Sequence, residues 1–394
     1  MQISDRVLNI AASQSIVMTA RAKQMKADGV DVISMSLGEP DMDTPEHIRR
    51  AAQEAIDNHW SHYGPVPGLQ SLRTAITAHQ NNVIGNVIQW EAENTIVSVG
   101  AKMAIYNAIQ TAVNQGDEVI VPMPSWVSYT EMVKLASGVV VPIQTQFEND
   151  YRLTPQELKA ALTSRTRLLI LCSPNNPTGT VYSKAQLDAL VEVLRNYPEV
   201  TILSDEIYAG LTYDCDAPSM ASFPDIADRL VIINGVSKSY AMTGYRIGWL
   251  LTKNRAFLNA CIRLQGQQLT CATIIAQKAA EAALTGPQKC VEEMRHVFAE
   301  RRELICRMAA DIPGFKFHQP HGAFYIFPDV SAISGGDELA EYLLENAHVA
   351  VVPGSAFGCP SCIRLSYAIS TEEIAEAMLR IRHAVANYKP QNHC

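Results

Sequence analysis

The sequence predicts an α/β fold, with a doubly wound sheet in a large domain and a smaller α+β domain beside it. Two patterns favour this class. Short β-rich runs alternate with helical stretches between residues 93 and 251, and after residue 286 a long amphipathic helix precedes mixed elements. Hydrophobic residues make up 47% of the 394 positions and charged residues 18%, which suits a sizeable core and argues against disorder.

The first predicted element is a helix over residues 13–28, followed by one strand. A single helix and strand cannot form a core alone, so we expect this segment to pack against the C-terminal part of the chain. The predicted large domain therefore covers residues 44–286. Residues 1–43 and 287–394 are expected to form the small domain with its N-terminal arm.

Seven β-rich runs predict the strands of the large domain. Several are apolar on both faces, as is typical of parallel strands covered by helices on both sides. Helical patterns at residues 102–113 and 184–195 lie between them. The runs cover residues 95–99, 118–121, 139–143, 168–172, 200–204, 230–234 and 247–251.

The elements of the small domain follow a Gly-Pro pair at residues 286 and 287. The first is a long amphipathic helix with many charges on one side, and the last is also a helix. The predicted order is a helix at 291–309, a strand at 323–327, a helix at 337–346, a strand at 349–352 and a helix at 371–387.

Charge and cysteine content make several classes of protein improbable. The net charge is −8, so neither nucleic acid nor an anionic membrane is an expected partner. We see no secretory signal and no apolar run of about 18 residues, so the expected location is the cytoplasm. The nine cysteines indicate reduced thiols. The single CxxC pair, Cys359 and Cys362, is weak evidence for zinc or redox chemistry, and no metal is expected.

Four polar clusters follow predicted strands, at the edge where an open α/β sheet collects its ligands. They are residues 98–102, 172–179, 204–208 and 235–248. Each cluster alone has an ordinary explanation as a turn, a helix cap or a surface lysine. In the last cluster, however, Lys238 is flanked by small residues. A desolvated lysine has a lowered pKa and can act as a nucleophile.

Together these segments resemble the class I aminotransferases of pyridoxal-phosphate (PLP) fold type I. The resemblance is strongest to the bacterial aspartate and aspartate/prephenate aminotransferases, and it extends from residues 36–41 to residues 363–368. It implies a PLP enzyme with a seven-stranded, mostly parallel sheet between helices. It also implies a homodimer that acts on amino acids and 2-oxo acids.

The resemblance assigns catalytic roles to three residues. Lys238 matches the lysine that forms the Schiff base with the cofactor and carries the substrate proton. Asp205 matches the carboxylate that keeps the ring nitrogen of the cofactor protonated, which lets the ring accept electrons. Tyr208, together with Asn176, matches the groups that hydrogen-bond the phenolic oxygen of the cofactor.

Other matched positions are implied to hold the cofactor. Trp126 matches the aromatic residue that stacks on the ring. The phosphate is expected on the backbone amides of Ala101 and Lys102, with Arg246 adding charge-assisted hydrogen bonds. Tyr63 matches a tyrosine that reaches the phosphate of the neighbouring subunit.

One position departs from the pattern. Many relatives have a serine three residues before the lysine, where it helps to hold the phosphate. This chain has Gly235 there. Ser237 is the serine expected to compensate. Pro124 and Pro177 match positions where the family uses cis peptide bonds.

For the substrate, Arg364 matches the arginine that binds the α-carboxylate in a bidentate pair, with help from Asn176, Trp126 and the backbone of Gly38. The implied reaction is a ping-pong transamination, with aspartate as donor and 2-oxoglutarate as acceptor. Ser15 and Thr270 are candidates to bind the side-chain carboxylate of the substrate, although both could equally be structural.

Several alternatives stay open. Transaminases of aromatic amino acids, alanine or prephenate, and a PLP β-lyase, would keep the same cofactor residues. A non-catalytic PLP-binding regulator is disfavoured because no basic helix-turn-helix extension is present. A nicotinamide-dependent dehydrogenase is disfavoured because no G-x-G-x-x-G motif follows the first strand.

Overall fold

A computed structural model describes residues 1–83 and 87–389. It has the expected α/β architecture, with sheets of seven, three and two strands. The strands are β1 Ile33–Ser34, β2 Thr95–Val99, β3 Glu118–Met123, β4 Val139–Gln144, β5 Thr166–Cys172, β6 Thr201–Asp205, β7 Leu230–Gly235, β8 Ile247–Leu251, β9 Tyr325–Ile326, β10 Val349–Ala350, β11 Val352–Pro353 and β12 Ile363–Ser366.

The α-helices surround these sheets. Within the described ranges, none is long and apolar enough to cross a bilayer. The helices are α1 Asp5–Leu8, α2 Gln14–Ala27, α3 Glu46–Asp57, α4 Gln70–Val83, α5 Gly100–Ala112, α6 Ser128–Leu135, α7 Pro155–Ala161, α8 Lys184–Leu194, α9 Arg255–Gln268, α10 Ile274–Thr285, α11 Lys289–Ala310, α12 Gly336–Tyr342 and α13 Thr371–Asn387.

Local sequence explains where several helices begin. In α8, the hydroxyl of Ser183 accepts a hydrogen bond from the backbone amide of Gln186, and the Gln186 side chain accepts one from the Ser183 amide. Ser370 and Glu373 form the same reciprocal pair at the start of α13. Such capping boxes satisfy amides that the first turn leaves free, which favours initiation at that serine.

The large sheet has the strand order β2-β8-β7-β6-β5-β3-β4, and β8 alone is antiparallel to its neighbours. The prediction of a seven-stranded, mostly parallel sheet is confirmed. Because β8 runs in the opposite direction, its first residue, Ile247, pairs with Val99 at the end of β2. Residues just before β8 therefore lie at the same edge as residues just after β2, β5, β6 and β7.

Apolar side chains fill both faces of this sheet. In β2, Ile96 packs with the side of α5 and α9, whereas Val97 packs with the side of α4, α8 and α10. Leu168 and Leu169 in β5 divide in the same way. Each such side chain contributes about 1.5–3 kcal/mol by leaving water, so the two-faced apolar pattern specifies a central sheet.

A separate apolar cluster joins the smaller sheets to α11 and α13. It includes Met35 from the N-terminal segment, Phe298 from α11 and Ile381 from α13. Strand β1 pairs in parallel with β10, which brings residues before 43 against the C-terminal part of the chain. The proposed domain boundaries at 43/44 and 286/287 stay a prediction.

Three elements of the C-terminal part differ from the sequence-based expectation. The strand expected at 323–327 shrinks to Tyr325–Ile326, because Ala323 adopts a left-handed φ of 56°. The strand expected at 349–352 divides at Val351, where the chain passes from pairing with β1 to pairing with β12. The helix expected at 337–346 ends as an α-helix at Tyr342 and continues as a π-helix, Leu343–Ala347.

Candidate active site

A cavity of about 330 Å³ lies at the carboxyl edge of the large sheet. Its walls come from the start of α5, the segments after β3, β5, β6 and β7, the segment before β8, and strand β12. The residues expected from the sequence that line it are Gly38, Ala101, Lys102, Trp126, Asn176, Asp205, Tyr208, Ser237, Lys238, Arg246 and Arg364. Of the two side-chain candidates, Ser15 also lines this cavity and Thr270 does not.

Lys238 follows β7, and its amine points into the cavity. Its Nζ donates a hydrogen bond to the backbone carbonyl of Gly38 and lies 5.9 Å from the ring of Tyr208. Burial lowers the pKa of Lys238 to about 8; the negative charge of Glu39 opposes this shift, and the positive charge of Arg364 adds to it. An amine with this pKa is unprotonated in a substantial fraction near neutral pH, so it can act as a nucleophile or base.

Asp205 ends β6 and is only 3% exposed. Its Oδ2 accepts a hydrogen bond of 2.7 Å from the hydroxyl of Tyr129, and its Oδ1 accepts one of 3.2 Å from the amide of Ile207. Burial raises the pKa of Asp205 to about 6, although both hydrogen bonds favour the carboxylate. A buried acid of this kind is suited to a cationic partner inside the cavity.

Arg364 lies on β12 and is only 2% exposed. Its Nη1 donates to Oδ1 of Asn176 at 2.9 Å, and its Nη2 donates to the carbonyl of Ser36 at 2.8 Å. The rings of Tyr325 and Phe357 lie 4.4 and 5.0 Å from the guanidinium carbon. Burial lowers its pKa, and its Nε has no hydrogen-bond partner among the described residues.

A glycine-lined recess forms where α5 begins. Gly100 has a φ of 72°, and a Cβ there would lie 2.4 Å from Nη2 of Arg246. A Cβ on Gly248 would lie 2.3 Å from the amide nitrogen of Ala101. Only glycine allows Arg246 to approach the start of α5 this closely. No described side chain caps the first turn of this helix. Free amides and a guanidinium together suit a phosphate group.

Trp126 and Lys102 form one wall of the cavity. The Nζ of Lys102 lies 4.7 Å from the ring centroid of Trp126, a cation–π contact. Burial and then the charge of Arg246 lower the pKa of Lys102. The wall therefore combines an apolar ring face with a second cation beside the recess.

The basic side chains of this cavity outnumber its two acidic side chains, Glu39 and Asp205. Lys102, Lys238, Arg246 and Arg364 all line it, and none makes a salt bridge within the part of the chain that the structure describes. Arg364 is buried and Lys238 is half-buried, whereas Lys102 and Arg246 are exposed. An unpaired cation is unfavourable where water no longer solvates it, as at Arg364. A cavity with this excess of positive charge, in a chain of net charge −8, is built for anionic ligands.

Two aromatic residues of the site were not anticipated from the sequence. Tyr129 holds Asp205, and the hydroxyl of Tyr325 lies 2.9 Å from that of Tyr208. The position of Tyr129 three residues after Trp126, at the start of α6, is a signal that could have suggested a shared location. Tyr325 lies in an apolar strand, and nothing in its sequence neighbourhood distinguishes it from core.

Tyr63 is the expected cofactor residue that lies outside the cavity. Its side chain is 89% exposed on the surface of this chain. Gly235 has no space for the serine of many relatives, because a Cβ there would lie 2.9 Å from the carbonyl oxygen of Ile247. Ser237 lines the cavity instead.

Of the two predictions of a cis peptide bond, one is wrong. Met123-Pro124 is cis as expected, but the second cis bond is Ser173-Pro174 and not Asn176-Pro177. Pro177 lies inside a turn closed by a hydrogen bond of 2.9 Å from the Gly179 amide to the Asn175 carbonyl. The bend that leaves β5 occurs three residues earlier, at Pro174.

Comparison with known proteins agrees with this geometry. Residues 30–381 match the model of the family of class I and II aminotransferases. An aspartate aminotransferase of Bacillus sp. (strain YM-2) is 42% identical over 388 residues, which are 96% of this chain and 98% of the relative. An aspartate/prephenate aminotransferase of Nitrosomonas europaea is 40% identical over 395 residues, which are 97% of this chain and 99% of that protein.

The chain belongs to the class I and II aminotransferases. The structure of an aspartate aminotransferase from Rhizobium meliloti has a TM-score of 0.94 at 38% identity, covering 98% of this chain and 99% of the other. An aspartate aminotransferase from Thermus thermophilus with maleate has a TM-score of 0.93 at 37% identity, covering 98% of this chain and all of the other. The family resemblance and the fold type inferred from the sequence are thereby confirmed.

Aminotransferases of this class use pyridoxal 5′-phosphate, and the cavity fits that cofactor. The recess at Gly100 and Arg246 offers amides and a guanidinium to a phosphate group. Lys238 offers an amine of lowered pKa to an aldehyde, and buried Asp205 offers a carboxylate to a ring nitrogen. Arg364 remains as a second anion site in the same cavity.

Proposed function

We propose that this aminotransferase transfers the amino group of L-aspartate to 2-oxoglutarate by a ping-pong mechanism. The observation that carries the proposal is a cavity lined by four basic side chains and two acidic ones, in which none of the basic groups forms a salt bridge with a described residue. A phosphate and a dicarboxylic substrate would supply the missing negative charges. The relatives named above are aspartate or aspartate/prephenate aminotransferases, and the Thermus relative was determined with maleate, which is a dicarboxylate.

Lys238 has two tasks in this proposal. Its amine would hold the cofactor covalently, and as a free amine it would take the proton from the substrate Cα. The cofactor supplies the electron-accepting ring that makes this proton acidic. The lowered pKa of Lys238 matches the proton-transfer task, because a base works best when its pKa lies near the operating pH.

Asp205, Tyr208 and Asn176 are proposed to set the electronic state of the cofactor. Asp205 would hold a proton on the ring nitrogen, and Tyr129 would keep the carboxylate oriented through its hydrogen bond of 2.7 Å. Tyr208 and Asn176 would donate hydrogen bonds to the phenolic oxygen. These groups come from separate segments after β5 and β6, and the rigid sheet edge fixes their mutual geometry.

The remaining residues are proposed to position the two ligands. Ala101, Lys102, Ser237 and Arg246 would bind the phosphate, and Trp126 would stack on the ring. Arg364 would bind the α-carboxylate of the substrate, whose negative charge would neutralise the buried guanidinium. The backbone of Gly38 closes this end of the cavity, where it already accepts the hydrogen bond of Lys238.

A panel of amino donors with 2-oxoglutarate as acceptor tests the substrate. We expect aspartate to give a larger kcat/KM than alanine or phenylalanine. If instead an aromatic or neutral donor is preferred, the choice of aspartate is wrong and another transaminase activity is correct. If pyruvate and ammonia form from a sulfur amino acid without any 2-oxo acid, the enzyme is a β-lyase.

We also propose that the functional unit is a homodimer in which Tyr63 reaches the phosphate of the partner subunit. In support, Tyr63 is exposed on its own chain, and other large apolar side chains are exposed as well, among them Trp60 and, on α2, Ile16 and Val17. Exposed aromatic and aliphatic groups of this kind are typical of an interface. A monomer would then have incomplete sites.

Hybrid dimers can test the contribution of Tyr63 from the other subunit. A Lys238→Ala chain mixed with a Tyr63→Ala chain should regain about a quarter of wild-type activity, because random pairing makes half the dimers hybrid and each hybrid has one intact site. No gain over the separate variants, in dimers shown to have exchanged subunits, would mean that Tyr63 acts within its own chain or not at all.

We further propose that the enzyme acts in the cytoplasm. The eight cysteines that the structure describes are all free thiols, as is usual for proteins of a reducing compartment. Fractionation of the source cells with antibodies against the enzyme would test this, and recovery outside the cytoplasm would contradict it.

A further inference from the structure

The CxxC segment forms a tight turn directly before strand β12. The carbonyl of Cys359 accepts a hydrogen bond of 3.1 Å from the amide of Cys362, with Pro360 between them. The turn places the two sulfur atoms 3.3 Å apart. A disulfide bond is about 2.05 Å long, so little movement separates the dithiol from the oxidised form.

Two glycines hold this turn in place. A Cβ on Gly336 would lie 2.0 Å from the carbonyl oxygen of Cys362, and a Cβ on Gly354 would lie 2.1 Å from that of Cys359. The amide of Gly336 also donates to the Pro360 carbonyl at 2.8 Å. Backbone packing this close fixes the turn, so the short distance between the sulfurs is built into the fold.

The two thiols have different environments. Cys362 is fully buried, and its sulfur lies 3.4 Å from the hydroxyl of Tyr151. Cys359 is half-buried, and the hydrogen bond from Cys362 lowers its pKa to about 7. The same contact, and then burial, raise the pKa of Cys362. An accessible thiolate beside a buried thiol is the arrangement of a nucleophilic and a resolving cysteine.

Both flanks of the turn contact the active-site cavity. Arg364 follows Cys362 by two residues on β12. Phe357 precedes Cys359 by two residues, its ring lies 5.0 Å from the Arg364 guanidinium, and its carbonyl accepts a hydrogen bond from the Ser125 amide beside Trp126. A shift of the turn would therefore act on residues that contact the proposed carboxylate site.

We propose that Cys359 and Cys362 form a reversible disulfide that weakens substrate binding at Arg364. The oxidant is a low-molecular-weight disulfide. The Cys359 thiolate attacks one of its sulfurs and releases a thiolate, which leaves a mixed disulfide on Cys359. Cys362 then passes its proton to the released thiolate and attacks the Cys359 sulfur, which releases a second small thiolate that takes a proton from water. One small disulfide becomes two thiols, and the protein dithiol becomes a disulfide.

A purely structural explanation is that both cysteines fill a small apolar cluster with Tyr151, Phe327 and Phe357. That explanation accounts for the burial of Cys362. It requires neither the sulfur–sulfur contact nor the partial exposure of Cys359. Cytosolic disulfides, where they form, are usually transient and regulatory, which agrees with a reversible bond at this turn.

Native oxidation in glutathione buffers tests the bond itself, independently of catalysis. The holoenzyme is equilibrated at increasing ratios of glutathione disulfide to glutathione, blocked with an alkylating agent, digested and analysed by mass spectrometry. We expect a cross-link between Cys359 and Cys362 that reverses on reduction. Cys359→Ser should abolish it, and Cys215→Ser, at an exposed cysteine, should not. Thiols that react only after denaturation would overturn the site.

Kinetics under the same conditions test the effect on binding, which rests on the proposed function. Oxidation should lower kcat/KM for amino donors by roughly ten- to a hundredfold, mainly through KM, because small misplacements of a positioning group have effects of this size. Cys359→Ser should keep its kcat/KM in both buffers. A complete cross-link with unchanged KM would overturn the coupling to Arg364, and inactivity of the reduced wild type would count against the proposed function instead.

Discussion

Helix α11 and the active-site cavity both contain buried basic side chains, but among the described residues only those of α11 form salt bridges with acidic residues. In α11, Arg301 makes a bidentate pair with Asp41, at 2.6 and 2.8 Å, and Arg302 pairs with Asp214 and Glu303. Both arginines are nearly inaccessible to solvent. In the cavity, by contrast, the hydrogen bonds of Arg364 and Lys238 to described residues go to neutral oxygen atoms.

The difference separates structural from functional charge. A buried cation that serves stability brings its anion from within the chain, because an unpaired charge is costly to desolvate. In a cavity with unpaired cations, this desolvation cost destabilises the free protein, and the binding of anionic ligands offsets it. The account therefore predicts large functional and small structural effects in the cavity, and the reverse in α11.

The largest expected effect comes from Lys238. Lys238→Ala should lower turnover by at least about ten-thousandfold, because in the proposed mechanism this residue is both the nucleophile and the base. Steady-state assays with aspartate and 2-oxoglutarate measure this. Lys184→Ala, at an exposed lysine paired with Asp188, should retain full activity. Substantial turnover without Lys238 would remove the basis for treating the cavity as the catalytic site.

Arginine replacements compare the two regions directly. Arg364→Leu should lower kcat/KM by about a hundredfold or more for every amino donor, while the free energy of unfolding changes by less than about 1 kcal/mol. Arg302→Met should instead cost about 1–2 kcal/mol of stability, since its partner Asp214 is half-exposed, and leave kcat/KM nearly unchanged. Denaturant unfolding and kinetics on both variants provide the measurements. Equal stability losses would contradict the distinction.

The pH dependence of cofactor attachment sharpens the same comparison. An acidic partner would raise the pKa of Lys238, as pairing does for Arg302, whereas burial lowers it to about 8. The free amine is the reactive form. The rate of PLP attachment to the apoprotein should therefore rise about tenfold per pH unit below pH 8 and level off above it. A rate that keeps rising towards pH 10 would mean that the amine is not desolvated.

A smaller effect is expected at Tyr129, which contacts the acid of the cavity. Tyr129→Phe removes one hydrogen bond to Asp205 and should reduce kcat about fivefold, the effect of about 1 kcal/mol. Tyr388→Phe, whose hydroxyl contacts surface Glu338, should leave kcat unchanged. An unaltered kcat in Tyr129→Phe would show that the backbone amide of Ile207 alone orients the acid.

Much of this site follows from the sequence because its residues lie just after strands that are recognisably apolar. Asp205 ends β6, and the Lys238 segment follows β7, so parallel pairing necessarily brings them to one edge. Pairings across long sequence separations were not accessible in this way. Nothing in the residues around Arg301 or Asp41 indicates their contact across 260 positions, and nothing local shows that Arg364 lacks such a partner.

Secondary structure was least predictable where tertiary contacts override local pattern. The apolar run at 349–352 suggests one strand, but two different sheets compete for it and divide it at Val351. Likewise, a left-handed φ at Ala323 shortens the strand that ends in Tyr325 and Ile326. Both positions belong to the C-terminal part, where short strands hold few residues and each irregularity removes a large share of the element.

Chemical trapping tests most directly whether the amine of Lys238 binds the cofactor. The purified protein is incubated with excess pyridoxal phosphate, reduced with borohydride, digested and mapped by mass spectrometry. We expect a single pyridoxyl phosphate group on the peptide that contains Lys238. Maleate or phosphate should not remove this group, whereas the Lys238→Ala variant should lack it. An unmodified Lys238, or label scattered over surface lysines such as Lys184, would contradict this expectation.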